Sequence, residues 1–293
     1  MTISVRKVAA LGLLGAVLVG CGGNVGTPAA GPTTTAPSPA RPTAAPGAQP
    51  RTAAKPAPAA PTLAAGPRGR TPVYERRTGR SAEKVVALTF DADMTADQGP
   101  RAARGERFDN PELIATLRRL KVDATVFMTG RWAEEYPDQA RSIGTDPRFE
   151  IANHSYSHYA FAEPCYGLPT VAAPDMAADV QRAFDSFRDA GAVNVVPYFR
   201  FPGGCYDDTA LHALAPARVT AVQWDVVGGD AFAKDPDAVA EQVLSGVRPG
   251  SVVVLHCTRS AAPATERALR RVVPELRARG YRFVKVSELM RAG

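Results

Sequence analysis

Val85-Val-Ala-Leu-Thr-Phe-Asp-Ala-Asp93 is a nearly unbroken apolar run that ends in two carboxylates. Val85 to Phe90 shows no alternation of polar and apolar side chains, so it reads as a strand covered on both faces, the kind a parallel sheet uses. Similar runs follow at Val122–Met128, Phe149–Ala152, Val195–Phe199, Val219–Trp224, Val252–His256 and Arg282–Val286. Helical patterns separate them. Asn110-Pro-Glu opens one, with Pro111 at a favourable first position and Leu113, Leu117 and Leu120 on one face. Others span Trp132–Ile143, Pro236–Val247 and Ala264–Arg279. One more begins at Pro174, carries Met176, Val180, Phe184 and Phe187 at helical spacing, and ends at Gly191. Strands alternating with helices predict an α/β fold: a parallel sheet covered by helices, open or closed into a barrel.

Outward from this region the composition changes. The chain has 293 residues, 45% hydrophobic and 22% charged, enough for one sizeable core plus appendages. Seven of its 35 basic residues precede Glu75, the first acid, which leaves 28 basic against 29 acidic residues beyond position 70. The formal charge of +6 is therefore a property of the N-terminal part. No basic stripe with interleaved aromatics occurs, so nucleic acid is not an expected partner. Residues 1–20 read as a secretory signal: Arg6 and Lys7, then an apolar run from Val8 too short to span a bilayer comfortably. Leu18-Val-Gly-Cys21 resembles a bacterial lipoprotein cleavage motif, which makes Cys21 the expected site of lipidation. Residues 22–70 hold eleven of the 26 prolines, no acid and almost no large apolar side chain. Such a stretch cannot offset its ordering entropy by burial, so a disordered Pro/Ala/Thr-rich linker is expected over 21–80, with the folded domain at 81–293.

The chemistry-bearing residues sit where the strands end. Functional residues of α/β sheets gather beyond the carboxyl ends of strands. Asp91 and Asp93 follow the first run, His154 follows Phe149–Ala152, and Arg200 follows Val195–Phe199. Trp224 and Asp225 close the Val219 run, and His256 closes the Val252 run. His154 and His158 lie four apart among small polar neighbours, a spacing that lets two imidazoles face one ion. Alone, such a pair is weak evidence. Together with two carboxylates and a third histidine at other strand ends, it suggests a metal-assisted hydrolase.

Five runs in order carry a specific resemblance: Leu88-Thr-Phe-Asp-Ala-Asp93, His154-Ser-Tyr-Ser-His158, Arg200-Phe-Pro-Gly-Gly204, Trp224-Asp-Val-Val-Gly-Gly-Asp230 and Val254-Leu-His256. Residues 81–293 resemble the polysaccharide deacetylases, the NodB-homology or family 4 carbohydrate esterases. The resemblance implies a distorted (β/α) barrel that removes acetyl groups from N-acetylated, sometimes O-acetylated, sugars. It implies a divalent metal, zinc with cobalt or manganese as alternatives, on His154, His158 and an aspartate. By the same resemblance Asp91 is the general base and His256 the general acid. Arg200 positions the base, and Asp230 orients His256. Trp224 and Val254 wall the pocket for the acetyl methyl, with Pro202 and Gly203 at the substrate and Gly203 N–H as an oxyanion donor.

This sequence departs from the family pattern in several places. The family has adjacent aspartates; here Ala92 intervenes, so Asp93 is the expected ligand, displaced by one residue. Val227 stands where an aspartate is common, Ala231 replaces an aromatic, and Cys257 follows the histidine where an aspartate is frequent. Cys165, Cys205 and Cys257 each lie a few residues beyond a motif. In an exported protein a Cys165–Cys205 bridge is the expected pairing, with three free thiols the alternative. The expected protein is a monomer acting on cell-wall glycan. It is exported and lipid-anchored to the outer face of the cytoplasmic membrane. An O-acetyl (xylan-type) esterase and an inactive glycan-binding module remain the other readings.

Overall fold

Among the described residues, nine strands form one sheet whose paired neighbours all run parallel. In the computed structural model, residues 59–79 and 83–291 are described. The strands are β1 Val73–Tyr74, β2 Val85–Ala92, β3 Ala124–Met128, β4 Phe149–Asn153, β5 Val195–Phe199, β6 Thr220–Val222, β7 Val226–Val227, β8 Ser251–His256 and β9 Arg282–Phe283. The helices are α1 Gly99–Ala102, α2 Pro111–Arg119, α3 Gly130–Glu135, α4 Pro137–Gly144, α5 Met176–Asp189, α6 Asp208–Ala213, α7 Pro236–Gly246, α8 Thr265–Ala278 and α9 Val286–Arg291. The sheet order is β1-β6-β5-β4-β3-β2-β8-β7, with β9 joined to the start of β2. This is an open, curled parallel sheet, a half-barrel with flanking helices, and so the distorted (β/α) barrel expected from the sequence.

Strand alternation sorts the core into two layers. Val86, Leu88, Phe90 and Ala92 of β2 face outward and pack with Leu113 and Leu117 of α2 and Leu269 and Val272 of α8. Val85 and Ala87 face into the curl with Phe127, Tyr198, Val222 and Val252, where Val286 and Leu289 of α9 close the floor. Glu150 also points inward there. Burial pushes its carboxyl above the usual range, while it accepts hydrogen bonds from Thr125 Oγ1 and Ser287 N–H.

Three expectations change. The expected helix 132–143 is two helices, because Pro137 has no N–H and drives Tyr136 out of helical geometry (φ −124°, ψ 58°). The run Arg282–Val286 splits into β9 and the start of α9. Asp225 is no part of the strand-end cluster. Its side chain accepts hydrogen bonds from Val252 N–H (2.8 Å) and Ser251 Oγ (2.9 Å), stapling the start of β8. Residues before 81 also join the sheet. β1 pairs with β6, Tyr198 donates its hydroxyl to Pro61 O, and Leu63 N–H donates to Thr220 Oγ1. The expected signal at 1–20, Cys21 and the linker up to residue 58 lie outside the described residues. No helix among the described residues is long and apolar enough to cross a membrane.

Candidate active site

Asp91 and His256 are register partners on adjacent strands, β2 and β8, on the inward face of the curl. Two parallel strands thus deliver a carboxylate and an imidazole to the same level of the mouth without any loop having to place them. Asp91 is buried (4% exposed), a costly position for a charge unless it is paired. Arg200 supplies the pair. Its Nη1 donates to Asp91 Oδ1 at 2.6 Å, while Nε and Nη2 donate to the carbonyls of Val222 and Gln223. The guanidinium lies over the Phe127 ring, 3.8 Å from its centroid. Burial works against charge on Asp91, but Arg200, His154 and His256 outweigh it and hold the carboxyl below its usual range.

Asp91 Oδ2 faces His154 Nε2 at 3.7 Å. The other ring nitrogen of His154 lies 2.9 Å from Arg200 O. A carbonyl oxygen only accepts, so Nδ1 carries a hydrogen toward Arg200 O, and Nε2 is the ring nitrogen turned to the mouth. His158 reaches the same place from a loop, not a helical turn. Ser155 and His158 both take left-handed backbone angles (φ 68° and 57°). A hydrogen-bond chain supports the bend: His158 N–H to Ser155 Oγ, Ser155 N–H to Asn153 Oδ1, and Asn153 Nδ2 to Val180 O of α5. The two imidazole centroids are 5.0 Å apart. His158 Nε2 faces Asp93 Oδ2 at 3.9 Å. Burial, against the pull of Asp93, lowers the His158 pKa to about 4, so the ring is neutral at neutral pH.

Asp230 holds His256 at two points. Its Oδ1 lies 2.9 Å from Nδ1, and its Oδ2 accepts the His256 backbone N–H at 2.7 Å and the Thr265 hydroxyl at 2.6 Å. Burial disfavours charge on this imidazole. The Asp230 hydrogen bond and charge, with Asp93 and Asp91 behind them, prevail and raise its pKa to about 10.

The wall is made at the end of β5. Gly203 and Gly204 both have left-handed angles (φ 64° and 75°). A Cβ on Gly203 would sit 2.6 Å from Cys165 Sγ, and one on Gly204 2.6 Å from the Trp224 ring, so glycine is needed for space as well as conformation. Cys165 and Cys205 are joined by a disulfide that ties these two loops, and Cys257 is a free, buried thiol. Pro202 and Val254 are buried beside this wall and on β8 respectively.

A profile of the family described as polysaccharide deacetylase matches residues 78–222. A chitooligosaccharide deacetylase of Sinorhizobium fredii is 30% identical over 198 residues, 64% of this chain and 86% of that protein. The chain belongs to the polysaccharide deacetylase family. A peptidoglycan-N-acetylglucosamine deacetylase of Bacillus cereus is 28% identical over 218 residues, 71% of this chain and 89% of that protein. Among solved structures, a CE4 family pseudoenzyme from Bacillus anthracis superposes with a TM-score of 0.58 at 24% identity, covering 75% of this chain and 69% of that one. That last likeness speaks to the fold alone.

Polysaccharide deacetylases are often metal-dependent, and the donors of this member fit a small divalent cation in kind. His154 and His158 turn their Nε2 atoms toward Asp91 and Asp93 respectively, and Asp93 has one carboxylate oxygen facing His158. Imidazole nitrogen with carboxylate oxygen is a donor set that zinc accepts. The set is open: it forms two His–carboxylate pairs side by side. Among the described residues no three His, Cys, Asp or Glu side chains close into one cage. The sequence reading missed two members of the site, Thr258 and Thr265, which hold Asp93 and Asp230. Nothing in the spacing marks either; each acts through a fold contact made far along the chain.

Proposed function

We propose that this chain is a metal-dependent hydrolase that removes N-acetyl groups from extracellular polysaccharide, with peptidoglycan amino sugars as substrate. Family membership supports a deacetylase-type activity in general. The observation that carries the reading is the adjacent pair Asp91 and His256, register partners on β2 and β8, one held charged by Arg200 and the other by Asp230. Amide hydrolysis needs a base for the attacking water and an acid for the leaving nitrogen, each within hydrogen-bond reach of its proton. Asp91, kept ionised, accepts the proton of the water at Oδ2. His256, protonated, delivers a proton from Nε2 to the departing nitrogen. Arg200 fixes Asp91 at Oδ1 and leaves Oδ2 to face the water. A divalent cation on Asp93, His154 and His158, zinc or else cobalt or manganese, would lower the pKa of water and polarise the acetyl carbonyl. Gly203 N–H is assigned to the oxyanion, and Trp224, Val254 and Pro202 to the acetyl pocket. In the same reading residues 1–20 are a signal, Cys21 is lipidated, and the protein faces the cell wall as a monomer.

Acetate release from purified wall glycan tests this. The protein is expected to release acetate, to stop on chelation and to recover when Zn²⁺, Co²⁺ or Mn²⁺ is returned. Asp91→Asn is expected to lower the rate by about 10²–10⁴-fold. Full activity in that variant refutes the assignment of the base. O-acetylated xylan in a parallel assay separates an esterase from an amidase. One observation favours a second reading, an inactive glycan-binding module: the donor set is not closed around a single point. Glycan affinity without acetate release under all three metals would establish it.

A further inference from the structure

Ala92 separates the two aspartates of the first motif, and strand geometry gives that insertion a meaning. Side chains alternate along β2, so residues two apart share a face. Asp91 points into the curl. Ala92 points the other way, fully buried in the apolar layer against the helices. A carboxylate at 92 would be aimed into that layer, whereas one at 93 returns to the inward face. Position 93, however, lies beyond the last strand residue, where no ladder hydrogen bond fixes it.

Two buried threonines take over. Thr129 N–H donates to Ala92 O at 3.0 Å, and Met94 N–H donates to Thr129 Oγ1 at 3.1 Å, which pins the chain on both sides of Asp93. Thr258, two residues past His256 and 2% exposed, grips Asp93 itself. The Thr258 hydroxyl donates to Asp93 Oδ1 at 2.8 Å and accepts the Asp93 backbone N–H at 3.3 Å. Oδ1 is thereby engaged, and Oδ2 is the oxygen left facing His158 at 3.9 Å. One hydroxyl sets both the backbone position of residue 93 and the rotation of its carboxylate.

We infer that Thr258 is a positioning residue that adapts the displaced Asp93 to serve as the carboxylate ligand of the divalent cation. The inference rests on the functional reading above, because it takes the cation to sit at Asp93, His154 and His158. A hydroxyl that orients a ligating carboxylate is worth about 10- to 100-fold in metal affinity.

The test is Zn²⁺ affinity of the full chain, measured by competition with a chromophoric chelator, beside thermal melting. Thr258→Val keeps the side-chain shape and removes the hydroxyl. Thr258→Ala removes it with less bulk, in case valine is not accommodated. Both are expected to weaken Zn²⁺ by about 10- to 100-fold while the metal-free chain keeps its melting behaviour, and Thr258→Ser is expected to stay near the parent. If the parent binds one Zn²⁺ and both variants bind it equally well, the inference fails and the functional reading stands. It fails also if valine weakens binding and alanine does not, which would mean packing. If the parent binds no Zn²⁺, the functional reading falls and takes the inference with it.

Discussion

His256 stands between two opposing forces, and Asp230 decides the outcome. Burial favours the neutral ring, while the hydrogen bond and charge of Asp230 favour the cation and lift the pKa to about 10. With Asp230→Asn the largest favourable contribution is gone while burial and the weaker pull of Asp93 and Asp91 remain, so the pKa is expected to fall well below about 10. An NMR titration of the chelated protein reads this directly. Stability must follow with a definite sign. A folded-state pKa above the unfolded one contributes stability that is complete below about pH 6.5 and lost as pH rises through about 10. The parent should therefore lose stability to urea across that window, and Asp230→Asn should not show this loss. An unchanged titration in the variant would remove Asp230 from its role. The same residues show what could be read in advance. Asp91, Arg200, His154 and His256 were visible because each ends an apolar run. Thr265 and Thr258 were not, because a threonine that braces a carboxylate through a tertiary contact looks like any other threonine.

At the scale of elements, the strands buried on both faces were legible because a continuous apolar run of five or more residues is stable only when both of its faces are covered. β7, two residues long, had no such pattern, and α6 and α9 are too short for a helical period to declare itself. β1 was hidden because Val73-Tyr74, followed at once by Glu75-Arg-Arg77, makes no apolar run. Its position links it to the site through β6. β1 covers the free side of β6, with Ala221 N–H bonded to Pro72 O and Gln223 N–H to Tyr74 O. β6 and the residue after it in turn give Arg200 its carbonyl partners, at Val222 and Gln223. A chain begun at residue 81 would expose that edge and loosen the arginine that holds Asp91. With Thr71 N–H to Leu211 O, Arg77 N–H to Gly250 O and the bonds of Tyr198 to Pro61 and Leu63 to Thr220 lost as well, six bonds at about 1 kcal/mol each correspond to a Tm drop on the order of 15 °C for a domain of this size. A chain begun at residue 59 should melt like the full chain, and the one begun at 81 should melt lower and lose activity by more than it loses folded protein. Equal melting of the two would show that residues 59–79 are dispensable.

For the whole molecule, the charge distribution and the site belong to different parts of the chain. The excess of basic residues precedes Glu75, and the domain that carries Asp91 and His256 is near neutral. A near-neutral enzyme gains little from long-range attraction to its substrate, so where it is held matters more than how it is steered. In the proposed reading Cys21, directly after an apolar run and a small residue, is the residue that would hold it. A single acyl chain binds membranes only marginally, and two or more chains on one residue anchor stably. Cys21→Ser is therefore expected to move the protein from the membrane fraction to the soluble exported fraction and to abolish incorporation of labelled fatty acid. The same variant should keep its acetate release from isolated glycan, because nothing in the site depends on residue 21. Activity toward intact cells should fall, since the variant is no longer kept beside the wall. A Cys21→Ser protein that stays with the membrane would place the anchor elsewhere in the chain and leave the chemistry at Asp91 and His256 untouched.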